Sequence, residues 1–337
     1  MCRKLDILIP HYREDFSVIK PLLDSVAIQQ NVDLKNDIGV IIVNDGKDIV
    51  LDKELFKNYE FAVEYYIEEH RGVSATRNSC LDHSNAEYIL YADCDDMFAI
   101  VNALWIIMRE INRGGFDTLV SAFYEESVHP ETKEHFYIVR GDMAQGGVDS
   151  TFVHGKVHRR QYLLDKNIRW NDSLTIHEDS YFNCLAQKCT TPERTKYCPY
   201  PFYLWKWRDE SVCRRDFKYI LKTYNNMLDS NTALVEQFIN RGMLADARYF
   251  CTSMIFDAYY TMNTDKWLNQ DNKEYRDLTE RRFKTYFTKF KGYFENIEPA
   301  IKHQIVSSIR NRFAMEGLLL ESQTFDQWIK HIENLED

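Results

Sequence analysis

The run Tyr88-Ile89-Leu90-Tyr91-Ala92, followed at once by Asp93, Asp95 and Asp96, constrains this chain more than any other stretch. Its apolar character and length read as a strand inside a sheet. Carboxylates crowded where such a strand ends repel one another unless a cation or a donor network satisfies them. The end of a strand is also where open α/β sheets bind ligands. A hard divalent cation holding a phosphate group completes such a cluster, because Mg²⁺ takes a few carboxylates plus substrate oxygens.

The stretches around this strand set the fold class. Residues 5–9 read as a buried strand ended by Pro10, and residues 16–29 as an amphipathic helix with Val18, Leu22, Leu23 and Val26 at helical spacing. A second strand over 39–43 ends at Asn44-Asp45-Gly46, a third covers 63–67, and a short helix covers 73–83. Such alternation implies a mostly parallel sheet with helices on both faces. Downstream, the pattern predicts a helix over 100–112, a strand over 118–124, a looser stretch containing Gly141, Gly146 and Gly147, and a compact helical segment over 159–182. Asp96, just before Met97-Phe98, reads as a cap for the next helix. After about Arg215 glycines become rare and long amphipathic runs take over. The expected division is 1–215 and an all-helical domain over 216–337, the first part splitting into halves at about 98 and 99. The Arg/Lys/aromatic block at 279–293 reads as a solvated helix face with its rings packed inward.

Composition excludes several function classes. With 337 residues, 45% hydrophobic and 28% charged, the chain has the make-up of a soluble globular protein able to bury a core. A net charge of −10 argues against nucleic-acid binding, which rests on Lys and Arg neutralising phosphates. The 8 cysteines show no zinc-ligand spacing, so free thiols in a reducing cytoplasm are expected. Strand residues start almost at the N-terminus, which fits no signal peptide, and no apolar run approaches the ~20 residues of a membrane span. Membrane contact, if any, is expected to be peripheral.

ILIPHYRE (7–14), VNDG (43–46), HRGVSATRN (70–78) and YILYADCDD (88–96) arrive in order, and HGKVHRRQYLLDKNIRWNDSLTIHEDSYF follows over 154–182. Together they resemble the family-2 inverting glycosyltransferases of GT-A fold, over roughly the first two-thirds of the chain. The resemblance implies a nucleotide-sugar donor, a divalent metal (Mn or Mg) and a saccharide or cell-surface polymer as acceptor.

The resemblance also implies roles. Pro10, Tyr12, Glu14 and Asp45 take donor-binding positions, with Tyr12 stacking on a base such as uracil and Asp45 accepting from its ring N–H. Asn44 stands where the family usually has a second acid. Asp93 approaches the nucleotide and joins Asp95 at the metal, with Asp95 meeting it directly. Arg71 and Arg77 flank the donor, Arg77 either bonding phosphate or pairing with Asp93 or Asp95. In the Glu178-Asp179 pair, Asp179 is the general base that inversion requires opposite the leaving group, and Glu178 orients it or binds acceptor hydroxyls. Arg208 and Ser211 close on the diphosphate, while Trp207 and His177 take the acceptor side. The competing readings are a nucleotide-sugar-binding scaffold without catalysis and a transferase acting on modified nucleic-acid bases. A nucleotidyltransferase would want a glycine-rich basic loop after the first strand, which Pro10-His11-Tyr12-Arg13-Glu14 is not. The helical region is expected to govern acceptor choice or homo-oligomerisation.

Overall fold

Strand β1 (Leu5–His11) has a neighbour on each side, and its apolar residues Leu5, Ile7, Leu8 and Ile9 are wholly buried. The computed structural model describes residues 2–141, 151–208, 217–268, 273–318 and 323–336. The chain divides into two units, residues 1–209 and 210–337.

In the first unit, β1 is followed by α1 (Phe16–Ala27), α2 (Leu34–Asp37), β2 (Ile38–Asp45), β3 (Ala62–Glu68), α3 (Val73–His83), β4 (Tyr88–Tyr91), β5 (Met97–Phe98) and α4 (Ala103–Arg113). Then come β6 (Thr118–Ser121), β7 (Phe123–Val128), β8 (His135–Arg140), β9 (Lys156–Arg159), α5 (Arg160–Asp165), α6 (Glu178–Lys188), β10 (Thr195–Cys198) and β11 (Tyr203–Trp205). A seven-stranded sheet runs β10-β6-β9-β4-β1-β2-β3, and a four-stranded sheet runs β5-β11-β7-β8. In the larger sheet only β9 is antiparallel to its neighbours, β4 and β6. Strand alternation sorts the core. Ile7, Ile9, Val40 and Ile42 pack with Ile19, Leu22, Leu23 and Val26 of α1 and with Leu104 and Ile107 of α4. Helix α3 lies against β1 and β2. Each such aliphatic side chain contributes about 1.5–3 kcal/mol by leaving water.

Three expectations need correction. Pro10 does not end β1, which runs on to His11 with Pro10 level with Val43. Leu8 accepts from the Ala92 N–H on the β4 side, so Pro10, two residues on, faces that side too, where β4 has already ended and no N–H is needed. The strand expected over 118–124 breaks at Ala122: β6 belongs to the large sheet and β7 to the small one. The segment 159–182 is not continuously helical, since β9, α5 and a loop precede α6. β9 has no apolar run to betray it. Its Lys156 and His158 are nevertheless buried between two strands.

The crevice follows from this order. The chain passes from β1 to β2 and β3 on one side, then crosses to β4 on the other. The ends of β1 and β4 therefore splay apart at a topological switch point, the usual ligand position in such sheets.

The second unit contains α7 (Phe217–Asn240), α8 (Leu244–Met262), α9 (Asp265–Leu268), α10 (Lys273–Glu295), α11 (Pro299–Met315) and α12 (Phe325–Glu333). Along α10, Phe283, Tyr286, Phe287 and Phe290 form a buried helical stripe, while Arg281, Lys289 and Lys291 face outward. Trp328 of α12 closes on Phe283 at 5.1 Å between ring centres. Among the described residues no helix is long and apolar enough to cross a membrane, and the described cysteines are free thiols.

Candidate active site

The ends of β1, β2 and β4 and the starts of α3 and α6 converge here. At the end of β1, the Tyr12 ring stacks on His70 at 4.5 Å, and its N–H donates to Glu14 Oε2 at 2.8 Å. Buried His11 lies between Asn44 Oδ1 (2.6 Å) and the Glu14 carbonyl (2.7 Å). The Asn44 amide donates to the carbonyls of Gly46 and Ile49, so it latches the turn after β2. The neighbouring Asp45 carboxylate accepts from the N–H groups of Arg71 (2.7 Å) and Gly72 (2.9 Å) and meets His70 Nδ1 at 2.8 Å. It thereby braces the loop that opens α3, at the position expected to read a base. The Arg71 guanidinium is exposed and pairs with Glu68.

Arg77, on α3, is the centre of the site. Its guanidinium is buried and donates to Asp93 (2.8 Å), Glu178 (3.0 Å) and Asp179 (2.9 Å), with Trp170 beneath it at 4.4 Å. Of the partners expected for it, Arg77 takes Asp93 and not Asp95, and it adds both residues of the Glu178-Asp179 pair. Glu178 and Asp179 lie in the first turn of α6, where the helix dipole favours negative charge. The helix starts at Glu178 itself, after His177 in a left-handed conformation (φ 64°). Asp179 Oδ2 also accepts from the Val153 N–H at 3.1 Å. Burial pushes its carboxyl up; Arg77 opposes this, Glu178 and Asp93 add to it, and the result is about 7. Burial works against the charge of Asp93 as well, but Arg77 outweighs it and keeps that carboxyl below the usual range. Burial pushes His177 down, toward the neutral imidazole.

The acidic cluster divides at a turn. The Asp96 N–H bonds back to the Asp93 carbonyl at 3.2 Å, so the chain turns and brings residues i and i+3 together. Asp96 is not a helix cap: α4 begins at Ala103, with Asn102 at its N-cap. Instead Asp96 is buried, accepts from Tyr203 Oη (2.8 Å) and the Lys206 N–H (3.0 Å), and lies 3.6 Å from His154 Nδ1. Asp95 turns the other way, to Arg208 Nη1 at 3.1 Å, with Glu14 behind it at 3.8 Å.

Ligand atoms of Asp93, Asp96 and His154 lie within 4.8 Å of one another. Two carboxylates and an imidazole form a donor set that Mn²⁺ or Mg²⁺ accepts. Burial, then the charges of Asp93 and Asp95, push the Asp96 carboxyl well up. The donor set thus fits a divalent metal, and it brings Asp96 and His154 beside Asp93. His154 is held by its setting. Lys156 Nζ, buried, donates to the Phe152 carbonyl. Gly155 has φ +67°, and a Cβ there would stand 2.7 Å from Ser121 Oγ. Sequence reasoning counted Asp96 in the acidic cluster but read it as a cap, and it missed His154 and Tyr203. His154 opens the HGKVH stretch, the one signal that could have drawn attention to it.

On the far side, Trp207 is half-buried and its N–H donates to Glu126 at 2.8 Å. Ser211 lies outside the described residues.

A nucleotide-type crevice carrying acids at the β4 end and a buried carboxylate pair at a helix start defines a glycosyltransferase of GT-A fold. The sequence profile described as glycosyl transferase family 2 matches residues 6–177. The chain belongs to that family. Among solved structures, S. aureus TarS 1-349 is similar at a TM-score of 0.61 and 14% identity, covering 93% of this chain and 92% of that one. The same protein in complex with UDP-GlcNAc aligns at 0.60 and 15% identity, covering 94% and 92%. A longer S. aureus TarS structure aligns at 0.60 and 15% identity, covering 88% of this chain and 50% of that one. No curated protein matches.

Proposed function

We propose that this chain moves a sugar from a UDP-type donor to a hydroxyl of a saccharide or polymer acceptor, with inversion at the sugar carbon. One observation carries the reading: a single buried guanidinium, Arg77, bonds both the strand-end Asp93 and the helix-start Asp179 at 2.8 and 2.9 Å. Those are the positions of a donor-side acid and an acceptor-side base, and no scaffold role needs them joined. S. aureus TarS, solved with UDP-GlcNAc, supports the choice of donor class.

In this reading the Tyr12 face receives the base, and Arg208 and Arg71 reach the diphosphate. Asp93, Asp96 and His154 would hold a divalent metal, with Asp95 beside them, and such a metal would supply Lewis acidity at the diphosphate. Asp179 accepts the proton of the acceptor hydroxyl as its oxygen bonds to the sugar carbon and the bond from that carbon to the diphosphate breaks. Glu178 keeps Arg77 from fully neutralising Asp179. His177 and Trp207 border the acceptor.

Asp179→Asn tests this. The variant should bind UDP in the presence of Mn²⁺ as tightly as wild type by calorimetry, yet transfer sugar about 10²–10⁴-fold more slowly. Transfer at the wild-type rate would remove Asp179 from the reaction. A wild-type chain that does not bind UDP would remove the donor.

A further inference from the structure

Strand β8, at the edge of the small sheet, is exposed along almost its whole length, and much of what it exposes is apolar. Phe136, Tyr137 and Val139 are 42%, 59% and 46% exposed. Proteins rarely leave an apolar edge strand bare without a use for it. The antiparallel register sorts the side chains: Arg140 stands opposite Phe123, Ile138 opposite Glu125 and Phe136 opposite Ser127. Directly opposed residues share a face, so these lie on one side of the ribbon, with Tyr137 and Val139 on the other.

The first side is continuous with the active site. β11 runs parallel to β7 with Trp205 level with Glu125, which puts Trp205 and Tyr203 on that same side. Ring contacts agree: Phe123 meets His154 at 5.2 Å, and Trp205 meets Phe152 at 5.2 Å. Phe152 adjoins Val153, whose N–H is held by the base Asp179. Partly exposed residues therefore lead from Phe152, next to the Val153 that bonds Asp179, past Trp205, over the Glu125–Arg140 ion pair (2.6 Å), to Ile138 and Phe136. The outer part, from Arg140 to Phe136, extends about 14 Å.

We propose that this face is the track on which the acceptor saccharide lies beyond the hydroxyl being glycosylated. The inference rests on the transferase reading above. Pyranose rings present C–H faces that suit Trp205, Ile138 and Phe136, and their hydroxyls suit the Glu125–Arg140 pair. A second copy of the chain, or a foreign strand, would use the backbone edge of β8 and so would not distinguish one face from the other.

The test uses the full chain, UDP, Mn²⁺ and a printed oligosaccharide array. The double variant Phe136→Ser/Ile138→Ser is compared with wild type and with Tyr137→Ser/Val139→Ser, which alters the opposite face. Wild type and the opposite-face variant should retain the same oligosaccharides. The track variant should bind them about tenfold more weakly, the loss of about 1.4 kcal/mol expected for stripped ring contacts. UDP affinity should match in all three. Equal retention by all three, no retention by wild type, or equal loss in both variants overturns the track. A drop in mass in both variants, seen by light scattering, would assign the edge to a second copy instead. Failure of wild type to bind UDP would remove the donor reading itself, and the track with it.

Discussion

The chemistry of single residues at this site is set by one cation shared among three acids. Asp179 titrates at about 7 because burial and two neighbouring carboxylates outweigh Arg77. A base must be ionised, so transfer should be full above that pH and fall as pH drops through about 7. The pH–rate profile of wild type should show this acid limb, and Asp179→Asn should lack it. Arg77→Met should cost about 3–5 kcal/mol in urea unfolding, since removing one partner leaves buried charge uncompensated. An unchanged midpoint would mean that the three acids find other partners. Asp93 and Asp179 were legible in the sequence because each sits in a recognisable string. Asp96 lay in the same string as Asp93 but read as a cap, and His154 was not singled out. A turn bond decides which acids converge, and His154 arrives from ~60 residues away along the chain.

Among the elements, β6, β9 and the approach to β10 are tied by Asp117. Its carboxylate accepts from Arg194 (2.5 and 2.7 Å), Arg159 (2.8 Å) and Thr190 (3.1 Å). Burial works against its charge, yet Arg194 and Arg159 hold it at about 2. A folded-state value below the unfolded ~3.9 stabilises the protein fully above pH ~4 and stops doing so as pH falls through about 2. Asp117→Asn should therefore cost about 1–2 kcal/mol at pH 7, allowing for the half-exposed Arg194. The gap between variant and wild type in thermal melting should close between pH ~4 and 2. A gap independent of pH would contradict the ion-pair account. Periodicity revealed β1, β2 and β4 because burial on both faces demands apolar runs, and edge strand β3 showed itself by its Val63, Tyr65, Tyr66 and Ile67. Periodicity failed at β9, where Lys156 and His158 are buried among partners, and at Ala122. Leaving one sheet for another costs the chain no change in local composition.

For the whole molecule, the alternation of strands and helices made the α/β class readable, and the loss of glycines announced the helical second unit. How that unit serves the first was not written in any local pattern. We propose that it selects acceptors or assembles copies. Deletion of residues 217–337 should leave UDP affinity unchanged while altering acceptor range or solution mass; if neither changes, the proposal fails. The crevice itself has a kinetic consequence. Glu14, Asp93, Asp95 and Glu178 surround it, with Asp96 and Asp179 whose carboxyls are pushed up, answered by Arg77, Arg208 and Arg71, in a chain of net charge −10. A diphosphate approaching alone climbs a repulsive potential. Donor capture should therefore quicken with added salt, the reverse of electrostatically steered association, and quicken most when the donor is pre-mixed with a divalent cation that cancels its charge before it arrives.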